Sequence, residues 1–494
     1  MKKLFLLILL IVSLGLITAC TNGAKKSTTK QGGGTTTTRQ TDGTTTTKQT
    51  KTDFWDKDGN GIPDWQEKEI TLRYATWQYN NPDTITIDVL LIEAFMEKYP
   101  NINVEMQIVG EFYDWDTLFL GLLETDNLPD VFLIQRMGSF LPYNILADIT
   151  DYFDNDPDTK YIFESVKNSG IYKGRRYAIP TFVYPNVWVV NLDLLDRAGI
   201  NRPSYDWTVE QMTSIAKAVN DETRHIIGIF GCDWYHRIYP KVLKGKDSGW
   251  AEFGFDGNRF NFDDPVFQMA LNSQRQAIEQ GYCVPELSAE QLEEYYQDPA
   301  FTPTYQGMIG MWQEPTWSLK DYFDDMLFEW DIYPGPGGVT GGNTDIGGIS
   351  ALSEHKDAAY QLLKWMTFSE EGLLKRFELY DPELYVSGNN FPYPIVDYGI
   401  DAEGRNKIWE SIPYGEVAPG FISPQFIESL KKGAIRLNKE VIGWDEVDGA
   451  VYNYFYEIRT GQNTYAALKD TIQQAADQAY QQAIEAMDER LGYR

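Results

Sequence analysis

Between Ile70 and Ile108 the hydrophobic period changes twice, and this change restricts the fold more than any other feature of the chain. Ile70-Thr71-Leu72-Arg73-Tyr74-Ala75-Thr76-Trp77 reads as a strand. From Ile85 to Tyr99, Val89, Ile92, Phe95 and Met96 recur at helical spacing, and Pro100 stops the run. Ile102 to Ile108 alternates again. A strand, a helix and a strand in this order predict a parallel pair joined by a right-handed crossover. The alternation continues downstream. Val131–Ile134, Tyr177–Pro180, Val187–Asn191, Tyr305–Trp312 and Trp330–Tyr333 read as strands. Trp115–Leu123, Val209–Val219 behind the N-cap Thr208, Phe267–Gln280, Asp357–Phe368 and Tyr465–Leu491 read as helices. Residues 334–342 form a Gly/Pro-rich turn. Strands and helices alternate without an internal repeat, which predicts an α/β architecture.

The N-terminus sets the compartment. Met1-Lys2-Lys3 is basic, Leu4–Ile17 is apolar apart from Ser13 and Gly15, and Thr18-Ala19-Cys20 follows. That order is an export signal, and the apolar run is too short for a membrane span. The small-small-Cys ending resembles a bacterial lipobox. The likeness implies removal of residues 1–19, a lipid on Cys20, and a place on the outer face of the cell membrane or in the periplasm. Residues 20–52 are rich in Thr and Gly with almost nothing apolar to bury, the composition of a disordered tether. The remaining cysteines, Cys232 and Cys283, stand in a compartment that permits disulfides, but spacing alone leaves their pairing open. With 43 basic against 72 acidic residues the net charge is −29, which repels phosphate backbones and excludes nucleic acid as a partner.

Several stretches together resemble the extracellular solute-binding proteins of ABC importers, the sugar-binding group in particular. They are Phe95-Met96-Glu97-Lys98-Tyr99-Pro100 with Ile102-Asn103-Val104, and then Leu128-Pro129-Asp130-Val131-Phe132. Gly174-Arg175-Arg176-Tyr177-Ala178-Ile179-Pro180 with Asn191-Leu192-Asp193-Leu194-Leu195 and Ala198-Gly199-Ile200 comes next, followed by Trp207-Thr208. Gln306-Gly307-Met308-Ile309-Gly310-Met311 and Gly347-Gly348-Ile349 close the series. Each fragment is short, but their order from Ile70 nearly to the C-terminus makes the likeness specific. It implies a two-lobed type II periplasmic-binding-protein fold with a hinge and an inter-lobe cleft. Lobe 1 would comprise 70–181 and 345–378, and lobe 2 would comprise 182–344 and 379–494, with crossings near Thr181 and Asn343. The implied function is non-enzymatic: a monomer captures a carbohydrate, an oligosaccharide in particular, and delivers it to the membrane subunits of an ABC importer.

A sugar cleft needs flat aromatic faces and a few polar groups at strand ends. With 14 Trp and 31 Tyr the chain supplies candidates. After the first strand stand Trp77, Tyr79 and Asn80, and after Ile134 stands Gln135. The crossover offers Tyr184, Asn186 and Trp188; Phe230-Gly231 leads to Asp233, Trp234 and Tyr235; and Met311 leads to Trp312, Gln313, Glu314 and Trp317. Gly347 and Gly348 lack a Cβ and would let backbone approach a ligand. Core packing is the competing reading for each aromatic, and solvation for each polar group.

Asp56-Lys57-Asp58-Gly59-Asn60-Gly61-Ile62-Pro63-Asp64-Trp65-Gln66-Glu67 fits the EF-hand calcium loop. Asp56, Asp58, Asn60, Asp64 and Glu67 would give side-chain oxygens and Ile62 its carbonyl, with Gly61 at the sharp turn. No helix precedes the loop, so it resembles the single calcium loops of dockerins and thrombospondin repeats. Calcium would act structurally within residues 53–69. Two other functions stay open from the residues alone. A secreted carbohydrate-active hydrolase needs a carboxylate pair across a cleft, which an acidic chain always offers by chance. A binding subunit for a membrane sensor kinase would look identical. The chain has no Gly-x-Ser-x-Gly elbow, and His225, His236 and His355 lack the spacing of a catalytic zinc site.

Overall fold

The computed structural model describes residues 53–319, 323, 325–381, 391–436 and 439–493. The export signal, Cys20 and the Thr-rich stretch lie outside the described residues. The strands are β1 (Ile70–Ala75), β2 (Ile102–Met106), β3 (Val131–Ile134), β4 (Ile171–Tyr172), β5 (Arg175–Arg176), β6 (Ile179–Asn191), β7 (Ile227–Phe230), β8 (Cys283–Val284), β9 (Ile309–Pro315), β10 (Trp330–Tyr333), β11 (Gly341–Ile349) and β12 (Ala434–Arg436). Ten of them form one sheet in the order β2-β1-β3-β11-β6-β9-β7-β8, with β10 on β6 and β12 on β11, while β4 and β5 form a separate hairpin.

The opening pattern folds as its periodicity predicts. β1 runs parallel to β2 from Ile70 opposite Ile102 to Tyr74 opposite Met106, and helix α1 (Ile87–Lys98) makes the crossover. Thr86 caps that helix through the Val89 amide. β3 pairs parallel to the other edge of β1. At the far end of the sheet β7 lies parallel to both β9 and β8.

β6 and β11 join the two ends. They run antiparallel, with Tyr184 opposite Asn343 and Val183 opposite Thr344. Beyond this contact each strand continues into a different lobe. β6 pairs with β9 from Asn186 opposite Pro315 to Val190 opposite Met311, and β11 pairs with β3 from Ile346 opposite Ile134 to Ile349 opposite Val131. These two strands are the hinge of a two-lobed fold. The sequence reads two strands where β6 is one, because Pro180 and Pro185 resemble breaks.

The longer helices include α2 (Trp115–Glu124), α3 (Val209–Val219), α4 (Pro265–Glu279), α5 (Lys356–Thr367), α6 (Glu370–Glu378), α7 (Trp444–Arg459) and α8 (Tyr465–Arg490). α3 starts with a full capping box, Thr208 and Gln211 satisfying each other's backbone amides. After β11 the chain returns to lobe 1, where the Trp365 indole of α5 donates to the Leu91 carbonyl at 3.0 Å and Arg376 of α6 pairs with Asp88 at 2.8 Å.

Two stretches of 379–494, which the sequence places in lobe 2, also touch lobe 1. Val396 bridges Ile162, the Phe163 amide donates to Ile395 at 2.8 Å, and Tyr393 bridges Val183 on the hinge strand β6. The last turns of α8 also dock there. Ile472 and Ala476 pack with Phe260 and Phe262 on lobe 2, whereas Met487 packs with Trp115 and Phe140 on lobe 1. The Tyr172 hydroxyl donates to Asp488 at 2.7 Å. A 26-residue helix is ~39 Å long and can touch both lobes, which a two-crossing topology does not anticipate.

Candidate functional site

Side chains alternate across a strand, so β6 and β9 each present two faces. Trp188 stands opposite Gln313, and Asn186 opposite Pro315. These four residues line one cavity of about 400 Å³. Val187, Val189 and Trp312 belong to the apolar cluster on the other face. Trp312 donates its indole N–H to Glu314 at 3.2 Å, and Tyr305 and Ser318 bond the same carboxylate at 3.3 and 2.6 Å. Burial pushes the Glu314 carboxyl above its ordinary value, against these three bonds. Trp312 and Glu314 therefore sit in an internal network and are not part of the cavity wall.

The C-terminal end of β7 makes the cavity floor, as expected where parallel strands end. Phe230, Gly231, Cys232, Asp233 and Trp234 line it. Gly231 has φ +85°, a conformation that favours glycine and turns the chain from strand to the short helix Trp234–Arg237. Trp317 and Asn343 close the side nearest the hinge, and Arg237, Glu252 and Arg459 complete the wall.

The charges are paired among themselves. Arg237 meets Glu252 at 2.7 Å and Asp448 at 3.4 Å; Arg459 meets Asp233 at 3.3 Å and Glu286 at 3.9 Å. Burial alone would raise the Asp233 carboxyl, but the neighbouring cations, Arg237 and Arg459 among them, hold it below its ordinary value. A cavity whose charges are already neutralised suits an uncharged guest.

Four buried polar atoms on this wall have no partner among the described residues: Trp188 Nε1, Trp234 Nε1, Asn343 Oδ1 and Arg459 Nε. Trp188 and Trp234 are only 1% and 2% exposed. Most buried polar groups in a folded protein are satisfied, so four orphans on one cavity wall need an explanation. They are three donors and one acceptor, closed off from solvent in this conformation, on residues that share the wall with Trp317, which is 37% exposed.

The other expected residues lie elsewhere. Trp77 is half-buried, edge-on to Phe112 and Trp115, with the Lys439 ammonium 5.1 Å from its ring. Tyr79 is half-buried and Asn80 exposed. Gln135 is buried and donates to the Phe112 carbonyl at 2.9 Å. Tyr184 is edge-on to Trp317 at 6.2 Å, beside the cavity at the hinge, and Tyr235 packs on Trp234 and Tyr239. Gly347 and Gly348 serve packing, since a Cβ on either would come within 2.7 Å of Leu363 or Ile134. The expected residues that line the cavity are Asn186, Trp188, Asp233, Trp234, Gln313 and Trp317. Asn343, Arg237, Glu252 and Arg459 were not expected to line it. No local pattern marks them; Arg459 ends α7, more than two hundred residues beyond Asp233.

Residues 81–372 match the sequence profile of the family described as bacterial extracellular solute-binding protein. The chain belongs to this family. Its members bind solutes and are not enzymes. The arabinooligosaccharide-binding protein of Bacillus subtilis is 24% identical over 315 residues, 60% of this chain and 69% of the relative. The sugar-binding protein MalE of Xanthomonas citri aligns with a TM-score of 0.62 at 17% identity, covering 85% of this chain and 99% of its own. A Listeria monocytogenes ABC substrate-binding protein, solved with cycloalternan, aligns at 0.55 with 19% identity, covering 86% of this chain and all (100%) of its own. These likenesses support the two-lobed fold. α7, which supplies Arg459, lies beyond the part matched to the family.

The EF-hand-like loop is compact. Side-chain oxygens of Asp56, Asp58 and Asp64 lie within 4.8 Å of one another. Asp56 accepts from the amides of Gly59, Asn60 and Gly61 at 2.7, 3.1 and 2.8 Å. The Asn60 amide nitrogen bonds Asp58 at 3.1 Å and also reaches Glu67, while its oxygen accepts from Ile62. The loop is fastened to lobe 1 by Trp65, which packs on Tyr99 at 5.0 Å, and by Asn101, which donates to the Trp65 and Lys68 carbonyls at 3.0 Å.

Proposed function

We propose that this protein captures an uncharged oligosaccharide between its lobes and passes it to an ABC importer. The orphaned Trp188, Trp234, Asn343 and Arg459 groups beside Trp317 carry this reading. Sugar hydroxyls both donate and accept, so they match both kinds of orphaned group, while a sugar C–H face can stack on the Trp317 indole. The charge-balanced wall favours a neutral guest, since an ionic one would be desolvated without a counter-ion. The oligosaccharides named for the Bacillus subtilis relative and the Listeria structure support the same ligand class. Closure would bring lobe 1 over the lobe 2 cavity by bending β6 and β11. Titration calorimetry with arabino- and malto-oligosaccharides tests the proposal. Saturable, product-free binding that Trp317→Ala weakens supports it, and hydrolysis of any of these sugars would overturn it.

The anchor and the metal belong to the same reading. We propose a lipid on Cys20, with 20–52 as the tether to the membrane; the extracellular family and the export signal support it. A bacterial lipoprotein fraction that lacks the chain would count against it. For the loop we propose calcium held by Asp56, Asp58, Asn60, Asp64, Glu67 and the Ile62 carbonyl. An all-oxygen set suits a hard cation, and Asn60 would turn its amide oxygen inward. Calcium would neutralise the carboxylate cluster and stiffen the point where the tether enters lobe 1. A chelator that leaves the melting curve unchanged, with no heat on calcium titration, would remove this assignment.

A further inference from the structure

Cys232 and Cys283 come from opposite ends of a 51-residue excursion, yet their sulfurs lie 2.8 Å apart. Both side chains are buried, at 2% and 1% exposure. Cys283 lies in β8, the two-residue strand at the edge of the sheet, directly opposite Ile229 of β7. Cys232 immediately follows β7 at the Gly231 turn, and it lines the cavity between Gly231 and Asp233. Backbone pairing, apolar packing and a few hydrogen bonds hold the rest of this corner. Gln274 of α4 donates to the Cys232 carbonyl at 2.9 Å, and the Gly231 amide donates to Val284 at 2.9 Å.

We infer that Cys232 and Cys283 are joined by a disulfide in the exported protein, and that this bond braces the cavity floor. The two sulfurs are already neighbours, one on β8 and the other on the turn that directly follows its partner strand β7. In the joining step each thiol loses its hydrogen and one Sγ–Sγ bond forms. The two electrons and two protons pass to the disulfide of an exported thiol–disulfide exchange protein, whose own S–S bond opens to two thiols. The contact with Cys283 and burial push the Cys232 thiol above its ordinary value. The cross-link fixes the loop that carries Asp233 and Trp234, without touching either residue.

Peptide mapping of the full chain purified from the cell envelope, with thiols blocked before denaturation and no reductant, decides the covalent part. The expected product is one species in which the Cys232 and Cys283 fragments are joined, two hydrogens lighter than their sum. Two separately blocked fragments would overturn it. Neither result depends on any ligand, so failure here is distinct from failure of the sugar-binding reading. For the bracing, the Cys232→Ser/Cys283→Ser variant should lose on the order of 5 °C in Tm. Its amides at 231–235 should exchange on the order of tenfold faster than in the native chain. Equal exchange in the two proteins would overturn the bracing role even where the bond is found.

Discussion

Two aromatic clusters of this molecule look alike in sequence and differ in structure. In lobe 1, Trp115 meets Trp77, Phe119 and, through Phe119, Phe132 and Phe140. In lobe 2, Trp188 meets Trp207 and Trp234, and Trp234 stacks on Tyr239. The difference lies in the polar edge. Trp115 donates its N–H to the Leu133 carbonyl at 2.9 Å, as Trp207 does to Pro334 at 2.8 Å. Trp188 and Trp234 donate to nothing among the described residues, and both line the cavity. A buried indole with a partner is spent on the fold, whereas one without a partner at a cavity wall is available to a guest.

Truncation separates the clusters most sharply. Trp115→Ala empties a fully buried site and should cost about 3–5 kcal/mol of stability in urea denaturation. The sugar affinity of the folded fraction should stay within about twofold of the native value by calorimetry. A large affinity loss would show that the lobe 1 cluster takes part in binding and break the comparison.

The two regions should also answer pH in opposite senses. His236, stacked between Phe253 and Phe455 behind the cavity floor, is pushed down to about 4 by burial. The native state then resists the proton that the unfolded chain takes up from pH 6.5 downward. Stability held above pH 6.5 is lost as pH falls through about 4, on the order of 3 kcal/mol in all. Glu440, buried against Ser169 of lobe 1 at 3.0 Å, is pushed up to about 7 by burial. Its contribution is complete below pH 4.5 and is lost as pH rises through about 7, again on the order of 3 kcal/mol. Relative to the native chain, His236→Phe should gain stability toward acid and Glu440→Gln toward neutrality. Parallel stability–pH curves for variant and native protein would refute either assignment.

Trp317 gives the next smaller effect. Its face is 37% exposed, so Trp317→Ala should leave Tm almost unchanged. Sugar binding should weaken by about thirtyfold, roughly 2 kcal/mol, in calorimetry. An unchanged affinity would move the stacking platform elsewhere.

Much of this was legible in the sequence. Period-two and helical spacing located β1, α1 and β2 to within a few residues, because each buries a face set by local order. The sequence also offers the cavity aromatics Trp188, Trp234 and Trp317 as candidates. Trp312 was not separable from them, since a shift of one residue along β9 sends a side chain to the opposite face. Arg459 and the return of α8 to lobe 1 were illegible for another reason. Both depend on contacts across hundreds of residues, which no local pattern records.

The smallest predicted effect is the most diagnostic, because it changes a single N–H. Trp188→Phe and Trp234→Phe keep an aromatic ring in the wall and remove the donor. If a sugar hydroxyl accepts from each indole, each variant should bind about fivefold more weakly, near 1 kcal/mol, in calorimetry. The empty protein should lose little stability beyond the smaller ring volume, since no protein acceptor is abandoned. The matching change in lobe 1, Trp115→Phe, abandons the Leu133 carbonyl and should lower stability while sparing affinity. If all three variants lose stability alike and none loses affinity, the orphaned donors serve the core, and the distinction between the two clusters fails.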